Sequence, residues 1–600
     1  MNCSPARSVG HNRPCLYVYS PALILLHQIG EASESVRRLL SSLFRQLPLL
    51  LLAVLIAAFS AAFSVAAQDT SAANPGYPVR GAVVNALSGQ PIARALVALS
   101  QDQAMLTDSD GVFSFDSVPA GEYSVSVQTP GYQGFGGMMY GMTMHVSVGG
   151  RRIENAPPRR IQVGPDMPAL TFRVTPLGMI TGLVTLSTSD PADGIQIMLY
   201  RRQVQNGRAQ WSFSGQAKTR SDGSFRIADL EPGTYMVATQ ATLERPGSPA
   251  NDRGPVWGYP AIYYPGVTDA SGAGLLTLAA GQRAEADLTL VRQQFFPVTA
   301  LVQSPSDTPA NYEILDSGGR PAGQSAFLDR REGVVRANVP NGIWTMEAHA
   351  YGRTMQWGST TFQVNGAPVS FAISLVPVPR IPVVIRREFI ASADGSQTLS
   401  SGPGLDLFLE PADDIGGRMS GGLTNEDSGS DWELRVSQPG RYWIEAQAFP
   451  PAYISSITSG GTDLGSNPLV VLPGSTPPPV EVTLRNDAGT ITGQIATSAP
   501  NGSSSPATVG ERPQIWIYAI PLFSTPAHLP EGSVQSNGQF TIPNLAPGSY
   551  RVVACDTRQE IDFHSSEGLA AWAGKGQTVT VDPGGTASVD LDVVHAGAAQ

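Results

Sequence analysis

Over most of the chain, hydrophobic and polar residues alternate with a period of two. From Gly281 the run GQRAEADLTL sets Ala284, Ala286, Leu288 and Leu290 on one side, and Glu285, Asp287 and Thr289 on the other. That is the pattern of a strand with one face in a core and one in water. Near the C-terminus Gly585-TASVDLDVV repeats it, with Ala587, Val589, Leu591 and Val593 inward, and related runs cover 169–174, 369–375 and 480–484. Beyond residue 67 no long segment follows a 3.6-residue period, so the chain is expected to be strand-rich and poor in helix.

Turn signals recur at fixed offsets. The segments Thr107-DSDGVFSFDSVPAGEYSV, Thr219-RSDGSFRIADLEPGTYMV and Ser533-VQSNGQFTIPNLAPGSYRV align. In each, the Gly of an Asp-Gly or Asn-Gly pair (Gly111, Gly223, Gly538) stands two residues before a Phe (Phe113, Phe225, Phe540). Ten residues after that Gly, a second one (Gly121, Gly233, Gly548) stands two residues before a Tyr (Tyr123, Tyr235, Tyr550). The first signal predicts a hairpin turn with positive φ. The second predicts a sheet corner where a ring is buried and its hydroxyl bonds backbone. Weaker copies occur at Gly333 with Gly342 and Trp344, and at Trp432 with Gly440 and Tyr442. The five corners are 98 to 112 residues apart, a domain-sized period. The expected fold is all-β: a tandem array of about five antiparallel β-sandwiches, transthyretin-like or Ig-like, after an N-terminal hydrophobic helix. Sandwiches are expected at 77–175, 176–293, 294–378, 379–487 and 488–594, after a leader (1–67) and a linker (68–76) and before a tail (595–600).

The Gly-x-Val opening at Gly81, the D-x-x-G-x-F hairpin and the Pro-Gly-x-Tyr or Pro-x-Gly-x-Tyr corner resemble the carboxypeptidase regulatory-like domain. The resemblance implies a transthyretin-like sandwich related to carbohydrate-binding folds. Copies one, two and five carry the motif; three and four are placed mainly by spacing. Tyr263-Tyr264-Pro-Gly-Val, and the stretch from Glu560 to Lys575, are similar to segments of exported multi-repeat bacterial proteins.

Residues Leu47 to Ala67 are apolar apart from Pro48, Ser60 and Ser64, and follow Arg37, Arg38 and Arg45. Positive charge, an apolar stretch and small residues at Val65 and Ala67 predict a secretory signal cleaved before Gln68. The alternative is a retained anchor, since 21 residues can span a hydrocarbon core. Either way the chain is expected to be exported to the periplasm, the outer surface or the medium, touching a membrane only through this segment if it stays uncleaved.

Charge and cysteine content narrow the function. A net charge of −11 with 14% charged residues argues against nucleic acid, which needs clustered Lys and Arg. Loss of the leader removes Cys3 and Cys15, so Cys555 has no partner within the chain. His528-Leu-Pro-Glu531 has the spacing of a zinc peptidase pair, with His564 as a conceivable third ligand, yet a Pro-containing loop offers no convergent ligand set. Asp108-Ser-Asp110-Gly111 lacks the further carboxylates of a calcium loop and reads as a turn. No nucleophile elbow, phosphate loop or dinucleotide motif is present. The expectation is a non-catalytic protein with no metal and no cofactor.

Four rings in Trp257-Gly-Tyr259-Pro-Ala-Ile-Tyr263-Tyr264 concentrate in an expected loop of copy two. They either stack sugars or plug the end of the sandwich; Trp257 and Tyr259 are expected exposed, as carbohydrate-stacking residues, and Tyr263 and Tyr264 buried. Phe135 to Met144 is a second apolar, exposed-looking stretch. A polysaccharide or a cell-envelope protein is the expected partner. Alternatives are an accessory subunit of a secreted peptidase or outer-membrane transporter, and a purely structural stalk. Short linkers stiffened by Pro176, Pro377 and Pro379 predict an elongated file of sandwiches touching only chain neighbours.

Overall fold

A computed structural model describes residues 76–595, except 100–102, 136–137, 140–141, 144–145, 149–150, 154–158, 166, 245–254, 304–309, 353, 391–403, 413–420, 425–431, 496–514 and 536. The chain divides into two compact units, 1–75 and 76–600, and the described residues all belong to the second. The expected leader, its cleavage site and most of the Phe135 to Met144 stretch lie outside the described residues. Among the described residues, no helix is long and apolar enough to cross a membrane.

The second unit holds five main hydrophobic cores in succession, spanning Val79 to Val174, Ile180 to Leu290, Phe296 to Leu375, Trp357 to Leu484 and Ile491 to Leu591. Each belongs to a β-sandwich of the same plan. The opening strands are Tyr77–Asn85, Gly178–Leu186, Gln293–Gln303, Arg380–Glu388 and Gly489–Ile495. Each pairs antiparallel with a hairpin strand: Val112–Val118, Ser224–Leu230, Val334–Pro340, Trp432–Arg435 and Gln539–Leu545 respectively. On its other side each pairs with the strand that closes the sandwich, and this pairing is parallel in all five. The sandwiches are thus antiparallel except for this parallel seam and, in the fifth, a short parallel pairing of Ala554 and Cys555 with Val593 and Val594, a detail that alternation cannot reveal, since it reports which face is buried and not which way a strand runs. The facing sheet is built on the corner strand, Gly121–Gln128 in the first sandwich and Gly548–Cys555 in the fifth.

The repeated residues are each used for folding. Gly111, Gly223 and Gly538 take φ of 72°, 78° and 85°, the left-handed conformation that glycine adopts without a Cβ clash. Asp108 Oδ1 accepts from the backbone N–H of Asp110 and Val112, so this aspartate folds the turn, as the sequence suggested. Phe113, Phe225 and Phe540 lie in register with Gly81, Gly182 and Gly493 of the opening strands. A Cβ on any of these glycines would come within 2.6 Å of the ring. Each is therefore a floor on which a core phenylalanine rests, a case of strand glycine marking close approach. In copies three and four the same register holds Ala300 with Val335 and Val383 with Trp432, which is why the motif fades there while the sandwich persists.

The corner is also physical. Tyr235, Tyr442 and Tyr550 donate their hydroxyls to the carbonyls of Glu231, Gln438 and Ala546, each four residues back, at 2.6–2.7 Å. Trp344 does the same through Nε1 to Pro340 O at 2.9 Å. An indole N–H thus replaces the phenol in copy three, and the aromatic at Gly-x-aromatic is a hydrogen-bond donor in all four.

One expectation changes. The segment expected as a loop contains the strand Val256–Tyr259, which leaves sandwich two and pairs with Gln293–Gln303 of sandwich three. Helix is scarce among the described residues, as expected; the short Ser566–Ala571, capped by Ser565, lies within an excursion of sandwich five that packs Ile561, Phe563 and Trp572 on Tyr518 and Val553.

Candidate functional site: the junction of sandwiches two, four and five

The strands Gln196–Gln205 and Arg208–Lys218 form the longest hairpin of sandwich two, joined by Asn206 and Gly207 at φ of 50° and 74°. Positive φ at both central residues is what an Asn-Gly hairpin turn requires. The turn does not end in solvent. Gly207 lies so close to Phe563 of sandwich five that a Cβ would come within 2.1 Å of a ring carbon, and His564 N–H donates to Gly207 O at 3.2 Å.

Polar contacts to sandwich four surround this turn. The Arg208 guanidinium sits 3.6 Å over the Trp443 ring and donates to Gly465 O at 3.1 Å. Burial lowers its pKa to about 10, against the raising influence of Asp562 and Glu410, so it stays charged at neutral pH. Gln210 Nε2 donates to Glu410 Oε1 at 2.6 Å, and Asn206 Nδ2 to Glu445 Oε2 at 2.5 Å. Burial pushes the Glu410 carboxyl upward, while the bonds from Gln210 and Asn206 pull it back. Toward sandwich five, Arg201 pairs with Glu560 at 3.4 Å and with Glu231 of its own sandwich at 2.8 Å, and Val204 N–H donates to Glu560 Oε2 at 3.3 Å.

Sandwich two therefore touches four and five as well as its chain neighbours, which corrects the expectation of a file in which only successive sandwiches meet. Periodicity and linker length carry no information on such long-range contacts. The dipeptide Asn206-Gly207 between alternating residues was the available signal for the hairpin, and the sequence reading passed over it.

His528 is engaged in the same junction. Its Nε2 lies 2.8 Å from Glu445 Oε1, and this bond raises the histidine's pKa against the opposing effect of burial. Burial, then Arg208, lower His564 to about 4. Among the described residues no three His, Cys, Asp or Glu side chains are grouped to hold a metal ion. Cys555 is buried, and that burial pushes its thiol up to about 11.

Trp257 and Tyr259, expected exposed, are half-buried, and Tyr264 is half-buried where burial was expected; Tyr263 is buried. Trp257 pairs with Gln294 of the strand that opens sandwich three. Arg292 lies 4.4 Å over the Trp257 ring and is held there by Glu244, which also accepts from the Tyr259 hydroxyl at 3.4 Å. A sugar stacking on that face of Trp257 would have to displace Arg292.

Residues 78–137 match the model of the carboxypeptidase regulatory-like domain. A comparison with curated proteins finds no match. Among solved structures the chain is similar to the Bacillus anthracis TIE protein, with 12% identity, 69% of each chain covered and a TM-score of 0.14. It is also similar to the shaft pilin SpaA of Lactobacillus rhamnosus GG, with 11% identity over 34% of this chain and 100% of that one and a TM-score of 0.13. For the minor pilin GBS52 of Streptococcus agalactiae the figures are 11%, 34%, 99% and 0.16. The family match falls on the first sandwich, and the same glycine, phenylalanine and tyrosine positions build the second and fifth, so the chain resembles proteins made of tandem carboxypeptidase regulatory-like domains.

Proposed function

We propose that this chain is an exported, non-catalytic scaffold of the cell envelope, which holds several β-sandwiches in a fixed arrangement and presents them to a polysaccharide or an envelope protein. The observation that carries the reading is the junction, where one hairpin ties three sandwiches through paired, mostly half-buried polar groups. The repeat residues support the same view, because they are spent on turns, ring seats and corners. Trp257 and Tyr259 would contribute to glycan contact by exchanging Arg292 for a sugar ring.

Retention of the purified protein on affinity gels of cell-wall polysaccharide, beside pull-down from the envelope fraction, tests the reading. Retention lost in Trp257→Ala with an unchanged melting temperature would support the glycan role of that residue. Hydrolysis of peptide substrates by the purified chain, dependent on added zinc, would overturn the non-catalytic assignment.

A further inference from the structure

A cleft of about 280 Å³ opens between sandwiches four and five. Four hydrogen bonds across the interface fix its walls: Ala446 N–H to Pro526 O at 3.0 Å, Gly584 N–H to Asp487 O at 2.7 Å, Asn544 Nδ2 to Ala452 O at 3.3 Å and Ser524 Oγ to Asp463 Oδ2 at 2.8 Å. The space is thus formed in advance, at a boundary between domains where small-molecule sites concentrate.

Its lining mixes two chemistries. On the side of sandwich four, the register of Tyr453–Ser459 shifts between Ile454 and Ser456, and the consecutive, exposed Ser455 and Ser456 both line the cavity with Asp463. Burial pushes the Asp463 carboxyl up, but bonds from Ser466, Ser524 and the Gly465 N–H outweigh it and leave it below the ordinary carboxylate range. An ionised carboxylate still has lone pairs for incoming hydroxyl donors. On the side of sandwich five stand Phe523 and the rings of Pro526 and Pro547 beside the hydroxyls of Ser524 and Thr525, and sandwich four adds the apolar Ile454 and Ile457. Phe523 is held edge-on by Tyr550, with centroids 5.3 Å apart at 86°.

Charge selects among ligands. Arg485, the cation of the lining, is bound through two nitrogens to Asp487 at 2.7 and 3.1 Å, and Asp487 also accepts from Tyr453. Its charge is neutralised there, while Asp463 repels anions. Hydroxyls and a carboxylate set among apolar side chains and rings complement a neutral ring with hydroxyls on its edge and C–H bonds on its face. The volume is at the small end of ligand pockets, which begin near ~300 Å³, and so admits one such ring. We propose that this cleft binds a single neutral pyranose unit, separately from Trp257. The proposal rests on the reading of the chain as a binding scaffold and names a site for it.

Saturation-transfer NMR on the full chain, with the methyl glycosides of glucose, galactose, mannose and N-acetylglucosamine as probes, tests it. We expect transfer to at least one glycoside in the wild type and in Trp257→Ala, loss of transfer in Ser456→Trp, which fills the cavity, and at least tenfold weaker binding in Asp463→Asn. The asparagine variant keeps the side-chain shape and decides the matter if the tryptophan disturbs folding. Absence of transfer to the wild type, or binding retained in both cleft variants, would overturn the site. Loss confined to Trp257→Ala would also overturn it, while leaving the broader glycan reading intact.

Discussion

At the scale of single residues, the repeat motif consists of positions where only one or two side chains fit. Gly493 faces Phe540, and an added methyl group would also press on the Val589 carbonyl of the parallel seam. Gly493→Ala should therefore lower the stability of sandwich five by about 1–3 kcal/mol, the range for overpacking, measured by denaturant unfolding. Tyr550→Phe keeps the ring and removes the bond to Ala546 O, so a loss of about 1 kcal/mol is expected in the same assay. The turn and the corner were legible in the sequence because their demands are local, a positive φ and a donor four residues from its acceptor, whereas the seat of each ring on a glycine of another strand was not. Trp344 was legible as an aromatic, and its hydrogen bond follows from its having an N–H. Trp257 was misjudged because its neighbours, Gln294 and Arg292, come from the start of another sandwich, and no local pattern announces a strand that crosses between sheets.

At the scale of elements, the hairpin formed by Gln196–Gln205 and Arg208–Lys218 ties together parts of the chain 200 to 257 residues apart. A cation–aromatic contact withdrawn from water contributes about 0.5–2 kcal/mol. A double-mutant cycle of Arg208→Ala and Trp443→Ala, read by thermal unfolding of the full chain, should show coupling of that size. A coupling energy of zero would mean that the hairpin only rests against sandwich four. Sequence patterns locate such a hairpin through Asn206-Gly207 but cannot name its seat, since Trp443, Glu445 and Phe563 alternate in their own strands or loops like any other residues. The same holds for the cleft between sandwiches four and five, whose lining residues are separated in sequence and come from two different cores.

At the scale of the whole molecule, the junction makes stability depend on pH. His564 is depressed to about 4 in the fold, against about 6.5 unfolded, so its contribution is complete above about 6.5 and is lost as pH falls toward 4. His528 has the opposite sign: raised by Glu445, it stabilises below about 6.5, and this contribution disappears as pH rises through its folded value. Melting temperatures between pH 6.5 and 4 should fall less in His564→Asn than in the wild type, and a parallel decline would remove this histidine from the account. The parallel seam has a further consequence, in mechanics. The strand that begins each sandwich lies beside the strand that ends it, pointing the same way, so tension on the two ends of the chain slides one strand along the other and strains the bonds of the seam together. The seam is six residues long in sandwiches three, four and five, and five in the first, whereas in the second it is split into two runs of three by Ala286 and Asp287. Under an optical trap the hairpin should let go first and sandwich two should yield next, leaving the three sandwiches with unbroken six-residue seams to carry the greatest force.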